Sequence, residues 1–289
     1  MANKEVDQIS GIETTGHEWD GIKELNNPLP RWWLYTFYAT CIWALGYAIA
    51  YPAIPLIKSN TAGLLGYSSR ADVADELTNA KVAQAGLLSK IESSSLEEIR
   101  RDPALLQFAV SGGRSAFLVN CVQCHGAGAA GSPGYPNLND DDWIWGGKLE
   151  DIYTTLKHGI RFQWDDETRT SQMPAFGADE ILEKAQINDV AEFVRQLAGL
   201  EHDAEAASRG AEPYAENCAA CHKDTGDGDR EQGAPNLKDA IWHYGSSKAE
   251  IAQQISQPRH GVMPGWVNRL DDNTLKKLTV YVHSLGGGE

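Results

Sequence analysis

The stretch Cys121-Val122-Gln123-Cys124-His125 decides how this chain is read, and it returns in kind as Cys218-Ala219-Ala220-Cys221-His222. Two residues between the thiols form one short turn of backbone. That turn lets both sulfurs reach the two vinyl groups of a single porphyrin. The histidine that follows directly is carried over the ring face, where its imidazole meets the iron. A structural zinc site would need four converging ligands, but the two pairs lie 97 residues apart and each has its own histidine. A thioredoxin-like dithiol is equally out of place, since no βαβ pattern surrounds either pair. The reading is therefore two covalently bound haem c groups, held by Cys121, Cys124, Cys218 and Cys221, with His125 and His222 as axial ligands. The fifth cysteine, Cys41, sits in an apolar run and reads as a small hydrophobe.

Each iron needs a sixth ligand or an open face. Of the three methionines, the two internal ones each follow one motif: Met173 lies 48 residues after His125, and Met263 lies 41 after His222. Both precede a proline. These lengths suit a small domain that wraps a haem and closes it from the other side, which pairs His125 with Met173 and His222 with Met263. Such ligation raises the reduction potential and serves electron transfer. Two alternatives stay open: the methionines as core filler, and bis-histidine ligation through His158 and His260, which precede them.

The motifs head an internal repeat. Pro136-Asn137-Leu138, Trp143, His158-Gly159-Ile160 and Met173-Pro174 answer to Pro235-Asn236-Leu237, Trp242, His260-Gly261-Val262 and Met263-Pro264. Each copy ends with helical apolar spacing, at Val190, Phe193, Val194 and Leu197 and at Leu275, Leu278, Val282 and Leu285. Other amphipathic stretches precede each motif and follow each tryptophan. The pattern predicts an all-α fold that looks like the small cytochrome c domain twice over, at residues 111–199 and 207–289. Leu200 to Ala206 is the linker, and the charge-rich insert Arg161 to Gln172 is expected to be a surface loop.

Upstream, Trp32 to Ile57 is free of formal charge. At 1.5 Å per residue these 26 residues reach ~39 Å, enough to cross a hydrocarbon core of roughly 30 Å. Trp32, Trp33, Tyr35 and Tyr38 at one end, with Tyr47 and Tyr51 toward the other, resemble interfacial aromatic belts. A cleaved signal peptide is the rival, but residues 1–30 carry a net charge of −4, the wrong sign for a basic leader. The layout is a cytoplasmic segment at 1–31, a transmembrane helix at 32–57 and a helical arm at 58–110. In that arm Val73, Leu77, Ala80, Leu87 and Ile91 keep helical spacing until Ser93-Ser94-Ser95 interrupts it.

Loop charge does not orient the helix, because Lys23 and Arg31 on one side balance Lys58 and Arg70 on the other. Haem attachment does: bacterial maturation works outside the inner membrane, so the haem domains are expected in the periplasm. The chain carries a net charge of −15, with −6 on residues 111–199 and −2 on 207–289. Asp140-Asp141-Asp142 and Asp165-Asp166-Glu167 concentrate it and are a candidate docking face for a basic cytochrome donor. The same acidity argues against nucleic acid as a partner.

The segments Thr14-Thr15-Gly16-His17-Glu18-Trp19-Asp20-Gly21-Ile22, Glu24-Leu25-Asn26-Asn27-Pro28-Leu29-Pro30-Arg31-Trp32-Trp33 and Tyr51-Pro52-Ala53-Ile54-Pro55 carry a further signal, as does Ser111-Gly112-Gly113-Arg114-Ser115-Ala116-Phe117. Together with the haem motifs they resemble, over nearly the whole chain, the dihaem cytochrome c subunit (subunit III, the P-type subunit) of bacterial cbb3-type cytochrome c oxidase. Some members have a second N-terminal transmembrane helix, which this chain lacks. The resemblance implies an electron-transfer subunit that is no enzyme on its own. It would take electrons from a soluble or membrane-bound cytochrome c and pass them through the monohaem cytochrome c subunit to the oxygen-reducing haem–copper subunit. A free-standing membrane-anchored shuttle, a dihaem peroxidase with an open iron, and a haem redox sensor are the alternatives.

Overall fold

The computed structural model describes residues 5–289. Two compact units divide at Ala83 and Gln84. The first begins with a hairpin of β1 (Thr14–Trp19) and β2 (Ile22–Leu25), antiparallel with Trp19 opposite Ile22 and Thr14 opposite Leu25. Asp20 and Gly21 both take positive φ at its turn, the geometry that an Asp-Gly pair favours between twisted strands.

Helix α1 (Arg31–Ala50) follows Pro30 and spans about 30 Å. None of its residues is buried, as suits a helix whose apolar side chains face lipid. The uncharged run extends to Ile57, and α1 ends at Ala50, ahead of Pro52 and Pro55. Tyr51 is extended, at φ −114° and ψ 162°, the conformation that Pro52 imposes on its predecessor.

Helix α2 (Ser69–Ser93) runs into the second unit, which holds α3 (Leu96–Arg101), α4 (Pro103–Asn120), α5 (Val122–His125), α6 (Leu149–His158), α7 (Lys184–Leu197), α8 (Ala204–Asn217), α9 (Ala219–His222), α10 (Lys248–Ser256) and α11 (Asp272–His283). The serine run breaks the arm as expected. Ser95 caps α3 by accepting from Glu98 N–H, while the Glu98 carboxylate accepts from Ser95 N–H. The arm does not end at residue 110, however. That position lies inside α4, and Ile91, Leu96, Ile99 and Leu105 are buried with Leu149 and Val280. The amphipathic pieces after the serines therefore belong to the folded body.

The packing of the remaining helices departs from the order of the repeat. α4 packs against α11, and α7 packs against α8. α6 also lies on α11, and α10 lies on α7. The helix ending each copy of the repeat thus folds onto the other copy. Glycines mark both crossings: a Cβ on Gly113 of α4 would lie 2.2 Å from the Lys277 carbonyl oxygen, and one on Gly210 of α8 would lie 2.1 Å from that of Asp189. The contiguous segments 111–199 and 207–289 describe the sequence repeat, while the packed units are built from both.

Candidate haem sites

Each cysteine pair sits at the end of a helix. α4 runs to Asn120 and α8 to Asn217; Cys121 and Cys218 cap them, and the one-turn helices α5 and α9 carry the second thiol and the histidine. The chain must then reverse. Gly126 does so at φ 76°, and Lys223 does so at φ 62° in the second copy. A non-glycine residue there is unusual.

The returning loop fixes the imidazole. His125 Nδ1 lies 3.0 Å from the Pro136 carbonyl oxygen, and His222 Nδ1 lies 3.1 Å from that of Pro235. A proton on Nδ1 donated to that carbonyl leaves Nε2 as the free lone pair, the tautomer a metal ligand needs. Burial holds both imidazoles below their usual pKa, more than the carbonyl bond raises it. Cys121 and Cys218 are pushed up to about 11, by burial first and then by Cys124 and Cys221. Among the described residues no three His, Cys, Asp or Glu side chains converge as a metal site. The donor set fits haem c twice.

The methionines are placed by the exchanged packing. Met263 packs in the cluster of Phe117, Leu156, Leu275 and Leu278 that also receives Cys121 and Trp143. Met173 packs with Phe176, Val190, Tyr214 and Ile255, the cluster that contains Cys218 and receives Trp242. Each tryptophan stays with the cysteines of its own copy, and each methionine sits with those of the other. The spacing argument that joined Met173 to His125 and Met263 to His222 does not describe this arrangement. The physical reason is that the loops around both methionines cross between copies: Ile160 and Met263 exchange backbone hydrogen bonds of 2.9 and 3.0 Å, and Gly177 N–H donates to the Ser256 carbonyl.

The bis-histidine alternative finds little support at His158. Its Nδ1 is 3.1 Å from Asp165 and its Nε2 is 3.0 Å from Glu167, so both ring nitrogens are engaged. His260 is exposed, its pKa lowered by burial of part of the ring and then by the Arg161 charge.

The acidic runs are less open than their sequence implies. Asp142 lies 3.5 Å from His243 Nε2 and its side chain is 11% exposed, while Asp140 has its carboxyl pKa raised by burial. Asp165 is turned toward His158, whereas Glu167, which also reaches that ring, stays exposed together with Asp141 and Asp166. Sequence reasoning passed over several residues that join the copies. Trp145 lies against Gly233 and Tyr244 against Gly134, a reciprocal pair, with Arg169 over the Trp145 ring and Arg259 over that of Tyr244. The matched positions of those glycines and rings in the repeat were the available signal.

An apolar helix of membrane-spanning length followed by two histidine-and-thiol haem sites defines a membrane-anchored cytochrome c of electron transfer. The comparisons agree along the chain. Residues 11–58 match the N-terminal domain of cytochrome oxidase-cbb3, FixP; residues 110–198 match cytochrome c; residues 205–282 match cytochrome c oxidase, cbb3-type, subunit III. The chain is 57% identical over 287 residues to the cbb3-type cytochrome c oxidase subunit FixP of Rhizobium meliloti (strain 1021), covering 99% of each. It is 53% identical over 276 residues to subunit CcoP of Cereibacter sphaeroides, covering 96% of this chain and 95% of that one. The chain belongs to the FixP/CcoP family of cbb3-type cytochrome c oxidase subunits. It is an electron-transfer subunit of that oxidase, membrane-anchored, with cytochrome c domains whose cofactor is haem c.

Proposed function

We propose that this subunit is a two-haem relay. It accepts electrons from a soluble or membrane-bound cytochrome c and hands them, through the monohaem cytochrome c subunit, to the oxygen-reducing haem–copper subunit. The observation that carries the reading is the twice-repeated site in which a cysteine pair, a partly buried imidazole tied through Nδ1 to a proline carbonyl, and a methionine packed in the same cluster as the first cysteine recur. Haem c, when bound, supplies a one-electron iron couple. Cys121 and Cys124 hold one group covalently and Cys218 and Cys221 the other. His125 and Met263 would ligate the first iron, and Met173 and His222 the second. With both methionines as ligands neither iron would have a position open to substrate, so the chain would relay electrons and leave oxygen chemistry to its partner. The haem units stand in the periplasm of a bacterial inner membrane, with the N-terminal segment cytoplasmic.

Affinity purification of the tagged chain from mildly solubilised membranes tests this, with a reduced-minus-oxidised spectrum and oxygen uptake recorded on the same sample. Haem b beside haem c with cyanide-sensitive oxygen uptake is the expected result. Haem c alone without uptake would leave a free-standing shuttle, and rapid cyanide or peroxide binding at a c haem would point to a peroxidase.

A further inference from the structure

The segment Gly159-Ile160-Arg161 lies between the two methionine loops. Ile160 is bridged to Met263 on one side and to Arg169 on the other. Gly159 has φ 73°, and a Cβ there would lie 2.3 Å from the Met263 carbonyl oxygen, so the approach requires glycine. Arg161 follows with φ 53°. An L-residue with a long side chain is disfavoured in that region, and a backbone held there by its surroundings points toward function. The left-handed turn aims the guanidinium inward. Arg161 Nε donates to the Gly261 carbonyl at 2.7 Å, and Nη1 donates to the Ser171 carbonyl at 2.9 Å.

Those two acceptors stand at the same distance in sequence from the two methionines. Gly261 stands two residues before Met263, and Ser171 two residues before Met173. One planar, permanently charged fork thus spans both loops, a task for which a lysine's single ammonium is less suited. The insert expected as surface loop therefore begins with a residue that faces inward.

We propose that Arg161 is a positioning residue shared by both axial methionines, joining the Met263 loop to the Met173 loop so that one ligand is not loosened without the other. The inference rests on the methionine ligation proposed above. It makes the two irons a coupled pair: a change in ligand strength at one is transmitted to the second through a single side chain. The charge also favours the reduced, less positive state of both.

The test uses the assembled oxidase carrying Arg161→Gln or Arg161→Lys, compared with the unsubstituted complex. Three quantities are read: the weak near-infrared band of methionine-ligated ferric haem, the midpoint potentials of both c haems, and carbon monoxide binding to each after reduction. Arg161→Gln is expected to weaken the band at both haems, lower both potentials and admit carbon monoxide at both, with haem content unchanged. Arg161→Lys, which keeps the charge and a donor, is expected to recover part of each loss. A change confined to one haem, or no change at either, overturns the inference. If Arg161→Gln does not assemble, Arg161→Lys alone decides: partial weakening at both haems supports the shared role, and weakening at one or none refutes it. Absence of the near-infrared band from the unsubstituted complex would instead refute the ligation, a separate failure.

Discussion

The unit around Cys121 and the unit around Cys218 share a scaffold but solve the same packing problem differently. In the first, α4 and α6 meet α11 from the far end of the chain, whereas in the second, α7 through α10 follow one another in sequence. The helices α7 and α11 occupy equivalent places, so Glu192 corresponds to Val280. Val280 is buried under the arm with Ile91, Leu96 and Ile99. Lys276 on the same helix donates to the carbonyls of Ile91, Glu92 and Ser94, supplying partners that the end of α2 lacks. No arm covers α7. Glu192 is nevertheless 6% exposed, and it is held by Lys248 at 2.9 Å, by Arg195 at 3.8 Å and by the Asp203 N–H. The difference shows one helix position made apolar where a neighbour buries it and ionic where the unit must close itself.

Exchanging these solutions breaks the comparison most severely. Val280→Glu places a charge under the arm with no partner, a change expected to cost about 3–5 kcal/mol and to detach α2 and α3 from the body. Limited proteolysis near Ser93-Ser94-Ser95 would report the detachment. The next effects come from the two crossings. Gly113→Ala and Gly210→Ala should each cost about 1–3 kcal/mol through overpacking. Hydrogen exchange should rise in α11 for the first substitution and in α7 for the second. The opposite assignment would mean that each copy folds on itself.

A smaller contrast appears with acid. Burial raises the Glu192 pKa, but the bonds from Lys248 and Asp203 N–H and the charges of Lys248 and Arg195 outweigh it, leaving the native value below 4.5. The stability this carboxylate contributes is present above pH 4.5 and lost as pH falls through the lowered native value. Exchange in α7 and α10 should therefore rise on acidification before exchange in α11, and Glu192→Gln should remove that difference. The smallest effect concerns the turn after each haem motif. Lys223→Gly relieves the left-handed strain that Gly126 avoids, and a gain of roughly 0.5–1 kcal/mol in thermal unfolding is expected.

Much of this molecule is written locally. Two cysteines and a histidine at fixed spacing mark each haem, the uncharged run from Trp32 marks the anchor, and Ser93-Ser94-Ser95 marks the break in the arm. The hairpin was passed over by the all-α expectation, although Asp20-Gly21 carries its turn signal. The exchange of the last helices was not legible. α7 and α11 present the same apolar spacing, as do their partners α4 and α8, so the repeat offers each helix two nearly equivalent surfaces. Choosing between them depends on loop path, on Gly159 beneath the Met263 loop and on contacts such as Tyr153 with Asp272, none of which has a periodic signature. The acidic runs divide for a related reason: tertiary contacts turn Asp142 and Asp165 toward His243 and His158, while Asp141, Asp166 and Glu167 stay exposed as composition suggests.

The central claim is the exchange of axial methionines, and an experimental density map of the haem-loaded oxidase tests it most directly. The predicted result is the Met263 sulfur opposite His125 across one iron and the Met173 sulfur opposite His222 across the other. Met173 opposite His125, with Met263 opposite His222, would contradict the account and return each haem to its own copy of the repeat.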